Sequence, residues 1–271
     1  MRYGVLADIH ANAQALEAVT SRLRRIGVDR YLCAGDLVGY GPQPNECVEM
    51  TASLEPICVA GNHDLMALGQ LSDEHAAMLA RRCMHWTREV LSDDARAYLA
   101  SLPRRADAEG GVVVAHGALD DPEEYVRRAD QASIQLGRLG RQHPGARLLV
   151  VGHTHLAFAS DGRSAAPEPA ATGALALDSA PTWLLNPGAV GQSRERLALA
   201  RFMVLDLERA EANFHAIPYD VEGCRRMLRK AGLPDRSYHL RPTRWKAWSR
   251  PLHRAVLRAS ILRTAAGRRQ H

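Results

Sequence analysis

Tyr3-Gly4-Val5-Leu6-Ala7-Asp8-Ile9-His10 decides the fold: an apolar run ends abruptly on a carboxylate and an imidazole. The same pattern recurs four times, in order. Tyr31 to Ala34 runs into Gly35-Asp36, Ile57 to Ala60 into Gly61-Asn62-His63-Asp64, Val112 to Ala115 into His116-Gly117, and Leu148 to Val151 into Gly152-His153-Thr154-His155. Continuous apolar runs of this kind read as strands buried on both faces. Ligands of open α/β sheets gather beyond the carboxyl ends of such strands. Two Asp, one Asn and four or five His therefore converge on one sheet edge, which reads as a large metal site.

Helices fit between these strands. Asn12 is placed to cap a helix over 13–26, and Gly27 to end it in the left-handed conformation. Leu16, Val19, Leu23 and Ile26 recur at the spacing of one buried helical face. Further helices are predicted over 45–53, over 73–102 with a break at Ser92-Asp93-Asp94, and over 131–142. The character changes after Ala157. Residues 161–172, rich in Ala, Pro and Gly, read as a surface loop. The segments 175–177, 182–185, 200–207 and 212–218 read as strands of a second sheet, with a turn at Asn186-Pro187-Gly188 and a helix over 221–231. Alternating strands and helices followed by adjacent strands imply two packed sheets flanked by helices. The expected fold is α/β, a four-layer α/β/β/α sandwich of two mixed sheets, over residues 1–235.

Composition bounds the rest. The 271 residues are 46% hydrophobic and 24% charged, ordinary for a soluble globular chain. No apolar stretch approaches the roughly 20 residues that cross a bilayer. The start, Met1-Arg2-Tyr3-Gly4-Val5-Leu6, has no signal-peptide pattern. Five cysteines lack metal or redox spacing, so a reducing, cytoplasmic setting is expected. Residues 222–271 carry fourteen Lys/Arg against two acidic residues, so of the overall +5 the first 221 residues hold −7. The extension 236–271, with Trp245 and Trp248, has the composition for a weak contact with RNA or an acidic surface. Against that, Leu252, Val256, Leu257, Ile261 and Leu262 share no clean helical face, which favours a solvated extension laying its tryptophans on the core.

A pair of divalent cations needs anionic bridges. Two unit charges at 4 Å repel by about 4 kcal/mol at an effective dielectric of 20, and two dications by roughly four times that. Asp36 is the candidate bridging ligand, with a metal-bound hydroxide as the second bridge. Mixed imidazole and oxygen donors point to Mn, Fe, Ni or Zn rather than Mg alone, with Mn the first choice for activity in vitro. Such a pair lowers the pKa of bound water towards about 7 and clamps phosphoryl oxygens. His63 can protonate the leaving alkoxide, and adjacent Asp64 is expected to orient and charge its ring.

Taken jointly, Asp8-x-His10, Gly35-Asp36-x-x-Gly39, Gly61-Asn62-His63-Asp64, His116-Gly117 and Gly152-His153-x-His155 resemble the calcineurin-like metallophosphoesterases. The resemblance extends to about residue 220 and includes Asn186-Pro187-Gly188-Ala189-Val190-Gly191. It implies one metal on Asp8, His10, Asp36 and His155, and a second on Asp36, Asn62, His116 and His153. It makes His63 the non-ligand catalytic histidine, paired with Asp64. The protein Ser/Thr phosphatases of this superfamily carry an Arg soon after Gly-Asp, and Gly35 to Gly41 has none. The branch it most resembles contains small phosphodiesterases and enzymes that cleave diadenosine polyphosphates, so a small phosphorylated or nucleotide substrate is expected.

Several residues bear on that substrate. The segment Asp120-Asp121-Pro122-Glu123-Glu124-Tyr125 either overhangs the metals, with Tyr125 against a base or leaving group, or begins a solvated acidic helix. Arg194 is a candidate for phosphate or for a surface ion pair, and Tyr40 and Asn45 are weaker candidates. Two other functions fit the same ligands. One is a metal-dependent nuclease gripping DNA or RNA with the basic extension. The other is a metal-stabilised scaffold, disfavoured because it has no need of His63.

Overall fold

A computed structural model describes residues 1–163 and 173–242. One compact unit runs from Met1 to Leu240. The tryptophan-bearing basic run and most of the Ala/Pro/Gly loop lie outside the described residues.

Local chemistry sets the helices. In α1 (Ala13–Ile26) the Asn12 side chain accepts from the Ala15 amide, and Gly27 closes the helix at φ 76°. The predicted 73–102 stretch is two helices, α4 (Met78–Val90) and α5 (Asp93–Ser101), with Ser92 capping the second. The others are α2 (Pro44–Ala52), α3 (Asn62–Ala67), α6 (Ala129–Gln142) and α7 (Val221–Lys230). The short α3 begins on the Asn62-His63-Asp64 motif itself.

The strands form two mixed sheets. In the first, β3 (Ile57–Cys58), β2 (Arg30–Cys33) and β1 (Arg2–Leu6) run parallel, and β10 (Ala200–Asp206), β11 (Glu211–Ile217) and β8 (Gly173–Ala176) continue it antiparallel. In the second, β5 (Val112–Ala115), β6 (Leu148–Val150) and β9 (Trp183–Pro187) run parallel between antiparallel edges β4 (Arg105–Ala108) and β7 (Ala157–Ser160). Side-chain alternation builds the layers. Tyr3, Val5, Met203 and Leu205 pack with Val112, Val114, Val150 and Leu185 between the sheets. Leu6, Phe202 and Val204 pack with Leu16, Val19 and Leu23 of α1. Val113, Leu149 and Leu184 pack with Leu136 and Leu139 of α6. The result is the α/β/β/α sandwich.

The later strands do not form a sheet of their own, contrary to the expectation from their adjacency. Every residue of β10 and β9 is buried. A strand apolar on both faces is stable only with a layer on each side. β10 therefore docks beside β1, with Val5 opposite Met203, and β9 beside β6, with Leu149 opposite Leu184. Asn186 and Pro187 belong to β9, and the chain turns at Gly188, φ 82°.

Candidate metal centre

The strand ends deliver the predicted residues to one place, and the backbone is bent to do it. Asp8, His10, Asp36, His153 and His155 all take positive φ, at 53°, 49°, 57°, 64° and 58°. For non-glycine residues this conformation is uncommon and costs on the order of 1–3 kcal/mol each, so it persists only where surroundings enforce it. The loop after β1 is laced to the loop after β2: the Asp8, His10 and Ala11 amides donate to the Gly35, Asp36 and Leu37 carbonyls at 3.0, 2.9 and 2.8 Å. Two glycines permit the approach. A Cβ at Gly61 would lie 2.1 Å from Asp36 Oδ1, and one at Gly191 would lie 1.6 Å from the Ile9 carbonyl oxygen.

Backbone carbonyls fix the histidine tautomers. Nδ1 of His10 faces the Val38 oxygen at 3.1 Å, that of His155 the Gln192 oxygen at 2.8 Å, and that of His116 the Ala34 oxygen at 2.6 Å. A carbonyl only accepts, so each Nδ1 donates, and Nε2 of a neutral ring is left as a bare lone pair. His153 is reversed: Nε2 donates to the Glu123 carbonyl at 3.1 Å, leaving Nδ1 bare. Burial holds His10 well below the usual histidine range. Burial, then the Arg194 charge, does the same to His155. Burial, then His116, brings His153 to about 3. These rings are neutral.

Bare acceptors then face one another. His10 Nε2 and His155 Nε2 lie 3.1 Å apart with no proton to share. The Oδ2 atoms of Asp8 and Asp36 are buried without hydrogen-bond partners. Asp36 Oδ2 lies 3.5 Å from His10 Nε2 and 3.3 Å from His116 Nε2, which is 3.0 Å from Asn62 Oδ1. Against burial, which lowers it, Asp36 lifts His116 to about 9. A charged His116 offsets part of this, and the unpartnered carboxylate oxygens remain costly without a further cation. Asp8, His10, Asp36 and His155 each offer an atom within 4.8 Å of the others, and so do Asp36, His116 and His153. The donor chemistry fits two cations that share Asp36.

One expected pairing is not present. Asp64 does not orient the His63 ring, because its carboxylate is fully engaged by backbone amides. Oδ2 accepts from Asp36 and Gly61, each at 2.9 Å, and Oδ1 from Leu37 and Val38 at 2.9 and 3.2 Å. Asp64 is the knot that shapes the Asp36 loop. The His63 ring instead stands 4.7 Å from Tyr40 and 4.8 Å from His10, with Nδ1 buried and unpartnered. The His63 amide donates to Asp36 Oδ1 at 2.8 Å.

The outer residues sort the same way. The acidic segment is a loop, not a helix start: Asp120 pairs with Arg105 at 2.9 Å and Glu124 accepts from Gln135 at 3.1 Å. It brings the Tyr125 ring against His153, 4.0 Å between centroids. Arg194 forms no ion pair among the described residues; its Nε donates to Gln192 Oε1 at 3.2 Å, and the carbonyl of the same Gln192 accepts from His155. Asn45 does not reach the site: from α2 it ties to the α4–α5 junction, donating to the Val90 carbonyl and accepting from the Ser92 amide at 2.9 Å each. Arg127, over the Tyr125 ring at 4.1 Å, and Gln192 were not anticipated. Gln192 lies five residues beyond β9, past where the strand-end rule looks.

Among the described residues no helix is long and apolar enough to cross a membrane. Comparison with known proteins agrees with the site. A metallophosphoesterase of Sphaerobacter thermophilus is 35% identical, with a TM-score of 0.75 over 88% of this chain and 96% of its own. An uncharacterized protein of Methanocaldococcus jannaschii is 30% identical over 236 residues, 85% of this chain and 93% of its own. A hypothetical protein of Pyrococcus horikoshii, 21% identical, shares the fold at a TM-score of 0.70 over 88% of this chain and 98% of its own. The calcineurin-like phosphoesterase superfamily domain matches residues 1–210. The chain therefore belongs to that superfamily, and it is a hydrolase acting on phosphate esters.

Proposed function

We propose that the protein is a cytoplasmic phosphoesterase that uses two divalent cations to hydrolyse a phosphodiester, a nucleotide or a dinucleoside polyphosphate. The observation that carries this is the Asp36 carboxylate shared between two buried clusters of Asp and His donors, with Oδ2 of Asp8 and of Asp36 left unpartnered. Asp8, His10, Asp36 and His155 hold one cation, and Asp36, Asn62, His116 and His153 the other. The donor set suits Mn, Fe, Ni or Zn, with Mn the first to try. When bound, such cations lower the pKa of water to about 7, clamp phosphoryl oxygens and stabilise charge in line.

The chain's own residues supply the rest. His63 donates a proton to the departing oxygen. Tyr40, against both His63 and His10, limits how the ring can swing. Arg194 and Tyr125 meet the substrate. Manganese-loaded protein assayed on phosphomonoesters, phosphodiesters, cyclic nucleotides and dinucleoside polyphosphates tests the reading. Turnover of at least one class is expected. No turnover on the whole panel, in protein shown by elemental analysis to carry metal, overturns it.

A further inference from the structure

The rings of His10, His116 and His155 are oriented by carbonyls of the chain just past β2 and β9, those of Val38, Ala34 and Gln192. His153 is oriented by a surface loop instead. Its Nε2 donates to the Glu123 carbonyl at 3.1 Å, and its ring stacks on that of Tyr125, 4.0 Å between centroids with planes 26° apart. The Arg127 guanidinium carbon stands 4.1 Å from the same Tyr125 centroid. Two groups that close cannot share one face. The phenol ring therefore lies between imidazole and guanidinium, and its edge and hydroxyl are what it has left for a substrate.

The loop is tied down where it stands. Gly117 lets it fold back on the end of β5, since a Cβ there would lie 2.6 Å from the Pro122 carbonyl oxygen. The Ala118 amide donates to the Asp121 carbonyl at 2.8 Å. Gln135 of α6, fully buried, accepts from the Leu119 amide at 3.2 Å and donates to Glu124 Oε1 at 3.1 Å. Val126 is buried as well. Tyr125 itself is 37% exposed and belongs to none of the apolar clusters that hold the layers together. Its stack on His153 is thus no by-product of core packing. Among the described residues, the hydrogen bonds and ring contacts of this loop reach His153 but not Asp8, His10 or His155.

We propose that Tyr125 is a positioning residue for His153: backed by Arg127, its ring holds the imidazole with Nδ1 turned towards Asp36 and His116. This rests on the two-cation reading and deepens it, because it gives the two donor sets different supports. Asp8, His10, Asp36 and His155 are held by the chain that follows the strands. The set that includes His116 and His153 depends on the Glu123–Arg127 loop as well. An outer partner that fixes the ring of one ligand acts on the site of that ligand, so loss of the Tyr125 ring should be felt on one side of Asp36 only.

The test uses full-length, chelator-stripped protein and two measurements. Proton NMR follows the His153 Nε2–H, identified by its absence from His153→Gln. That proton is expected in wild type and in Tyr125→Phe, which keeps the stacked ring. In Tyr125→Ala it is expected to exchange with water about three- to tenfold faster, the opening that loss of one aromatic pair allows. Calorimetric titration with manganese then reads both sites. Tyr125→Ala is expected to weaken one site about tenfold and to leave the other within about twofold, with Tyr125→Phe within about twofold of wild type at both. Absence of the protected proton from wild type, or unchanged exchange or unchanged affinities in Tyr125→Ala, overturns this inference alone. So does equal weakening of both sites, or a Tyr125→Phe protein as weak as Tyr125→Ala. Wild-type protein that takes up fewer than two manganese ions overturns the two-cation reading together with it.

Discussion

Asp36, in the loop after β2, and Asp64, in the first turn of α3, are both buried carboxylates, yet their surroundings assign them opposite work. Asp36 leaves Oδ2 uncovered between His10 and His116, whereas Asp64 has both oxygens covered by amides. Asp36→Asn removes the anion common to both donor sets. It should lower bound metal from about two ions to less than one and cut kcat/KM by more than about a thousandfold, measured by elemental analysis and initial rates. His63→Ala should retain metal and lower kcat by about 10²–10⁴, the usual worth of a positioned proton donor. Asp64→Asn turns an NH₂ towards amides that themselves donate. A loss of about 2–4 kcal/mol is expected, read by urea denaturation. An Asp64→Asn protein of wild-type stability that loses only kcat would restore the catalytic pairing with His63. The sequence displayed which residues meet at the site, because each stands at a strand end. It could not display what Asp64 touches, since the direction of four backbone amides is a product of the folded loop.

Capping and periodicity made the elements legible wherever a helix carried its own signals. Asn12 shows how far such a signal reaches. Its Oδ1 accepts from the Ala15 amide at 3.1 Å, and its Nδ2 donates to the Gly191 carbonyl at 2.8 Å. One side chain therefore starts α1 and ties it to the loop that carries Gln192 and Arg194. Asn12→Ala should cost more than the ~1 kcal/mol of a lost cap, about 2–3 kcal/mol by denaturation, because the Gly191 carbonyl is stranded as well. A loss of only ~1 kcal/mol would mean that the tie adds nothing. α3, β4 and β7 were not legible. α3 is six residues long, and β4 (Arg-Ala-Asp-Ala) has no apolar run. β4 and β7 exist because neighbouring strands supply their hydrogen bonds, and α3 because Asp64 caps its first turn at the Gly61 amide.

At the scale of the molecule, partner choice among strands escaped the sequence because a strand buried along its whole length, as β9 and β10 are, fits either sheet. Burial on both faces, not adjacency along the chain, sent β10 to one sheet and β9 to the other. That interleaving has an energetic consequence. Strands from both halves of the chain close around buried carboxylates, with Oδ2 of Asp8 and of Asp36 lacking a hydrogen-bond partner, so the sandwich carries a local destabilisation that bound cations would relieve. Metal should then act as a folding ligand as well as a cofactor. A ligand present at about a thousand times its dissociation constant stabilises by about 4.1 kcal/mol. For a unit of about this size that shifts Tm by roughly 8–16 °C. Calorimetric scans of chelator-stripped and manganese-reloaded protein should differ by that amount. The Asp36→Asn protein, already short of metal, should melt near the stripped protein and gain little from reloading. Equal Tm values for stripped and reloaded wild type would mean that the lone pairs around Asp36 are compensated by something other than a cation, and the two-cation centre would fall with them.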